Sequence, residues 1–141
     1  MRILWTGFGL GLMPVAPGSF GTLLAVPIAW GLGGGWGVAV AALAITLLSV
    51  PLARAAERRE GCADPPCFVL DEVAGYLVTM VALPATGPHL LAAYAAFRLL
   101  DIAKPWPIRR LERLPRGWGV VVDDLMAGAY ANLLVRLALS L

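Results

Sequence analysis

Residues 36–60 read WGVAVAALAITLLSVPLARAAERRE. The first 18 of them, Trp36 to Ala53, carry no charge. At about 1.5 Å of rise per residue, such a helix nearly crosses a hydrocarbon core of about 30 Å. From Arg54 to Glu60 the stretch becomes a charged amphipathic turn, and Gly61 follows as a stop. The stretch predicts one helix, apolar for most of its length and wet over its last turns. It sets the expectation for the whole chain: helices with their charges gathered at one end.

The rest of the composition agrees. The chain is 60% hydrophobic and 14% charged, against an average charged fraction of about 25% for soluble domains. That predicts a membrane protein of a single domain over residues 1–141. A net charge of +2 is too small to argue for nucleic acid, and the basic residues are not interleaved with stacking aromatics. They adjoin apolar segments, which suits anionic lipid head groups. Cys62 and Cys67, with no histidine nearby, make a poor zinc signature and read as reduced loop thiols. The start Met1-Arg2-Ile3-Leu4-Trp5 predicts no cleavable signal, so the first membrane segment would target the chain.

Outward from the central stretch, Thr6 to Gly21 is a glycine- and proline-rich loop. Phe20 to Leu32 predicts a short helix with Ser19 as N-cap. Two more short helices are expected at Phe68–Leu83 and His89–Leu100, joined by a turn containing Pro84, Gly87 and Pro88. Prolines at 105, 107 and 115 bracket a basic segment, and a last helix is expected from Asp123 to Leu141. The fold class is thus all-α, a compact multi-helix bundle embedded in a membrane. Arg54, Arg58 and Arg59 follow one apolar segment, and Arg98, Lys104, Arg109, Arg110, Arg113 and Arg116 follow another. The positive-inside rule places both islands, and the loop 6–22 with them, in the cytoplasm.

All nine acidic residues fall within Glu57–Glu72 and Asp101–Asp124. A charge in hydrocarbon costs at least about 2.5–3.5 kcal/mol, so this clustering points to water or to function. Asp71 and Glu72 open one helix; Asp123 and Asp124 open another, where Asp124, Gly128 and Asn132 form a stripe at helical spacing. Small residues below an acidic pair let two helices approach closely. Two such helices side by side would bring the pairs together, and their repulsion calls for a cation. A hard, oxygen-seeking ion such as Mg²⁺ fits. A plainer reading makes Asp71 and Asp123 helix caps. Asp101 and Lys104, three apart, share a helix face as a surface ion pair or as part of the site. Arg98, Lys104 and Arg109 could hold phosphate oxygens. The loop around Gly18, Ser19 and Thr22 could be an anion nest at a helix N-terminus, or merely a turn.

Several chemistries lack their residues. The only histidine, His89, is placed on the far side, which removes histidine-nucleophile phosphatases and Ser-His-Asp hydrolysis. There is no Cys-x5-Arg loop, no Asp-x-Asp pair and no Gly-x4-Gly-Lys-Ser/Thr loop. Carboxylates holding a metal, with basic side chains for an anion, remain.

Four motifs, in order, resemble the phosphatidylglycerophosphatase A family: TGFGLGLMPVAPGSFGT over Thr6–Thr22, VLDEVAG over Val69–Gly75, FRLLDIAKPWPIR over Phe97–Arg109, and VDDLMAG over Val122–Gly128. The resemblance implies a helical Mg²⁺-dependent lipid phosphatase of the bacterial cytoplasmic membrane. It would remove the terminal phosphate of phosphatidylglycerophosphate to give phosphatidylglycerol in phospholipid synthesis. Glu72 and Asp124 are the first expected metal ligands, with Asp71, Asp101 and Asp123 next; Gly18, Ser19, Thr22, Arg98, Lys104 and Arg109 are expected to bind substrate. Two rivals stand beside this: action on another lipid phosphate, and a non-catalytic membrane protein that binds a divalent ion. A homo-oligomer is left open.

Overall fold

The computed structural model describes residues 1–139. Among them are seven helices: α1 (Arg2–Trp5), α2 (Pro17–Leu32), α3 (Gly35–Glu60), α4 (Leu70–Thr79), α5 (Gly87–Ala103), α6 (Ile108–Leu111) and α7 (Trp118–Ala138). No strand occurs among the described residues.

α4 is the centre of the bundle. Val73, Ala74, Gly75, Tyr76 and Leu77 are all buried, so apolar side chains surround it instead of forming one stripe. α2, α3, α5 and α7 pack about it. Tyr76, Leu77, Met80, Phe97, Ile108 and Ala131 form the main core beside it. A second core joins Trp5, Ala53, Phe68 and Val121. The Trp5 carbonyl accepts the Val69 N–H at 2.9 Å and ties the start of the chain to the entry of α4.

α4 and α7 cross backbone to backbone. A methyl group on Gly75 would lie 2.7 Å from the Asp124 carbonyl oxygen, and one on Gly128 would run into the Gly75 carbonyl. This is the close helix approach that small residues allow. At the other end of α4, Asn132 Nδ2 donates to the carbonyls of Thr79 (2.6 Å) and Val81 (2.9 Å). Arg136 donates to Asn132 Oδ1 and to the carbonyls of Val81 and Ala82. These bonds satisfy acceptors that a helix end leaves open.

α3 is the one helix among the described residues long and apolar enough to cross a membrane, and only 33% of its apolar window is buried. Trp36, Val40, Leu43 and Leu47 point outward from it; Leu133 and Leu137 of α7 and Leu91 and Leu99 of α5 are exposed as well. An apolar coat of this extent suits lipid better than water.

α3 runs over its expected span and ends at Gly61 with φ 74°. Other boundaries moved. α2 starts at Pro17, which is pre-organised for the first helical position, so Ser19 lies inside the first turn and is no cap. α4 ends at Thr79, short of Leu83, where Asn132 and Arg136 take up the carbonyls that follow. α7 begins at Trp118, five residues before Asp123, because Gly117 turns in the left-handed region against Val50 and Ala53 of α3. Asp123 is therefore in the second turn and caps nothing. The expected last two residues of that helix lie outside the described residues.

Candidate active site

Asp71 and Glu72 occupy the first turn of α4, and Asp124 the second turn of α7. The α4–α7 crossing sets those turns against each other. One oxygen from each of Asp71, Glu72 and Asp124 lies within 4.8 Å of the others. Local bonds orient the carboxyls: Asp71 Oδ1 accepts the Glu72 N–H at 2.9 Å, and Asp123 Oδ1 accepts the Asp124 N–H at 3.0 Å. Glu72 Oε2 is buried without a hydrogen-bond partner. Three converging carboxylates, one of which carries a buried oxygen without a hydrogen-bond partner, fit a small divalent cation.

Asp101 borders this triad from α5. It accepts from Arg98 Nη1 at 2.6 Å, and its charge acts on both Glu72 and Asp124. Asp101 and Lys104 were expected to share a helix face. Instead Lys104 ends α5 in the left-handed region (φ 42°) and turns its ammonium away to Asp123 Oδ2 (2.7 Å) and Glu112 Oε1 (3.1 Å). The i, i+3 pair of α5 is thus Arg98–Asp101.

The site is strongly acidic: Asp71, Glu72, Asp101, Asp123 and Asp124 gather with Asp64 close enough to act on Asp71 and Asp123, and among the described residues their ion pairs are to Arg98 and Lys104. It lies outside the candidate span of α3. Burial, then the neighbouring Glu72 and Asp124, hold the Asp71 carboxyl well above its ordinary range. Burial, then Asp101 and Glu72, do the same to Asp124. Burial lifts Glu72 to about 7. Asp123 is pushed by burial to about 6, held from rising further by Lys104. Burial works against the Lys104 ammonium, but its bonds to Asp123 and Glu112 win and raise its proton affinity. Removing the protons from such a cluster without bringing in a positive charge is costly.

The glycine-rich loop meets the site at one point. Gly18, in the first turn of α2, leaves no room for a side chain because the Glu72 carboxylate and Arg98 Nη1 lie against it. The loop does not offer the open row of N–H groups expected of an anion nest. Ser19 N–H donates to the Ala16 carbonyl (3.0 Å), and the Ser19 carbonyl accepts from Tyr94 Oη (3.2 Å). The buried Thr22 hydroxyl donates to Gly18 O (2.9 Å) within its own helix. Arg98 stands at the triad, with its Nε buried and unpaired.

Arg109 lies elsewhere. With Lys104, Pro105, Trp106, Arg110 and Arg113 it lines a cavity of about 560 Å³ beside the acidic cluster. Sequence reasoning did not single out Trp106, Arg110 or Arg113 as site residues. The signal was present: the spacing 109/110/113 gathers three guanidinium groups on one turn next to Lys104.

The family model for Phosphatidylglycerophosphatase A matches residues 3–139. A protein of Bacteroides thetaiotaomicron, provisionally named a phosphatidylinositol-3-phosphatase, is 34% identical over 96% of this chain and 91% of its own. Proteins named Phosphatidylglycerophosphatase A from Escherichia coli and Haemophilus influenzae are 37% and 36% identical. The first covers 90% of this chain and 76% of its own, the second 96% and 86%. No solved structure matches the chain.

Proposed function

The chain belongs to the phosphatidylglycerophosphatase A family, and we propose on that premise that it hydrolyses the phosphomonoester of phosphatidylglycerophosphate at the membrane surface. The products are phosphatidylglycerol and inorganic phosphate, a step of phospholipid synthesis. The observation that carries this reading is the convergence of one oxygen each from Asp71, Glu72 and Asp124, beside a Glu72 carboxylate whose Oε2 has no hydrogen-bond partner.

Glu72, Asp124 and Asp71 would hold Mg²⁺, with Asp101 and Asp123 beside them. Bound there, the ion supplies charge screening for the phosphoryl group and acidifies water. Burial favours the protonated Glu72 carboxyl up to about pH 7, so this residue would hold a cation more strongly as pH rises. Arg98 presents its unpaired Nε to a phosphate oxygen while Asp101 fixes its other nitrogen. Lys104 holds Asp123 in place and adds positive charge at the edge of the site. Asp71 and Asp124 are buried and Glu72 is half-buried, which strengthens each of these interactions. The arginines that follow the apolar span support a cytoplasmic orientation of this face in a bacterial cell.

The test is phosphate release from phosphatidylglycerophosphate in detergent. Activity that requires Mg²⁺, stops with chelator and collapses in Glu72→Gln supports the reading. Equal turnover by Glu72→Gln, with the protein folded, refutes it. A second reading, a phosphomonoester on another lipid, is favoured by the name of the Bacteroides relative. A substrate panel that includes phosphatidylinositol 3-phosphate separates the two.

A further inference from the structure

The acidic triad accounts for one phosphate, yet the molecule carries a second anion-binding feature next to it. The cavity lined by Lys104, Trp106, Arg109, Arg110 and Arg113 contains four cationic side chains and no carboxylate. Its volume of about 560 Å³ is that of a ligand site. Arg109, Arg110 and Arg113 make no ion pair and no side-chain hydrogen bond among the described residues. They remain as free donors, although Glu112 sits between them in sequence. Glu112 is taken by Lys104 at 3.1 Å. Lys104 also reaches Asp123 of the acidic cluster, so a single side chain borders both the cavity and the cluster.

The substrate proposed above has two phosphates joined through glycerol. One is the monoester that is hydrolysed; the other is the diester that leads to the acyl chains. We propose that the Lys104–Arg113 cavity holds the diester phosphate and so measures the head group while the triad side works on the monoester. This inference rests on that substrate. Guanidinium groups suit a phosphodiester, whose two unesterified oxygens accept a bidentate pair of N–H bonds. The Trp106 ring, which lines the cavity, is exposed. Tryptophan at that position is at home at the lipid interface, where a diester head group lies. The cavity thereby separates this lipid from a plain monoester such as phosphatidic acid, which has no second phosphate to offer.

The experiment is inhibition of phosphate release in mixed micelles of nonionic detergent, for wild type and for the double variant Arg110→Ala/Arg113→Ala. Both arginines are exposed and unpaired, so the variant is expected to fold. Two inhibitors probe the two subsites: phosphatidylglycerol, which has only the diester, and inorganic phosphate. The expected result is a rise of about tenfold in the inhibition constant for phosphatidylglycerol and in KM, with the constant for inorganic phosphate unchanged. Equal weakening of both inhibitors, or of neither, overturns the proposal. So does wild-type inhibition by oleate, an anionic lipid with no phosphodiester, as strong as by phosphatidylglycerol, which would mark a general anionic surface. If wild type releases no phosphate from phosphatidylglycerophosphate, the functional reading fails. The cavity is then still tested by direct binding of phosphatidylglycerol micelles, which the double variant must weaken for the proposal to stand.

Discussion

The two ends of α4 treat charge in opposite ways. At its C-terminal end, Asn132 and Arg136 of α7 reach over and satisfy the carbonyls of Thr79, Val81 and Ala82. Every one of these donors has a partner, and the result is a polar lock inside an apolar bundle. At the N-terminal end, α7 delivers Asp124 to Asp71 and Glu72, so like charges meet and Glu72 Oε2 is left without a donor. The same two helices, a few turns apart, build one end for stability and the other against it. Unsatisfied buried groups that persist in this way mark function more reliably than satisfied ones do.

The sharpest way to break that contrast is to remove a charge at the acidic end. Asp124→Asn is expected to lower phosphate release by about 10²–10⁴-fold. In metal-free buffer its thermal midpoint holds or rises, since one repelling charge is gone. A large fall in both activity and midpoint would make the acidic end structural. Gly128→Ala acts on the crossing that joins the two ends. Its methyl group meets the Gly75 backbone, which cannot rotate away. A loss of about 1–3 kcal/mol of stability is expected in denaturant unfolding, with activity falling as the carboxyl turns separate. Asn132→Ala isolates the lock. It takes the side-chain donor from the Thr79 carbonyl, while Val81 O keeps its bond from Arg136, and is expected to cost about 1–2 kcal/mol, while turnover per folded molecule is retained at low temperature. Loss of turnover without loss of stability would erase the distinction between the ends.

The remaining test is in pH. Burial raises the Glu72 carboxyl from 4.5 to about 7. Between those values the folded state keeps a proton that the unfolded chain has released. Metal-free protein is therefore expected to be most stable, as far as this group is concerned, below pH 4.5, and to lose stability as pH rises through 7. Mg²⁺ should restore more at pH 8 than at pH 5, because only the ionised carboxylate needs it. Calorimetry at both values with and without the ion checks the sign; equal stabilisation at both would contradict it.

What the sequence discloses here follows physical scale. The helix α3 and its stop at Gly61 are legible because a long uncharged run and a glycine leave little choice. The meeting of Asp71, Glu72 and Asp124 is legible from small residues at helical spacing beside acidic ones, although their roles remain a matter for the assays above. The start of α7 is not. Acidic residues are good caps, and Trp118 to Val122 carries neither charge nor clear periodicity, so the docking of Gly117 on α3 decides the boundary. The partner of Lys104 is hidden for a similar reason: a left-handed residue at a helix end leaves the face that spacing assigns to it. Ser19 as a cap failed because Pro17 already opens the helix.

The contact between Gly75 and Gly128 has one more consequence. The gap between the acidic turns is gauged by main-chain atoms, which have no alternative side-chain conformations to slip into. The exposed leucine coat can thus drift in sequence while the spacing of the carboxyl groups stays as it is.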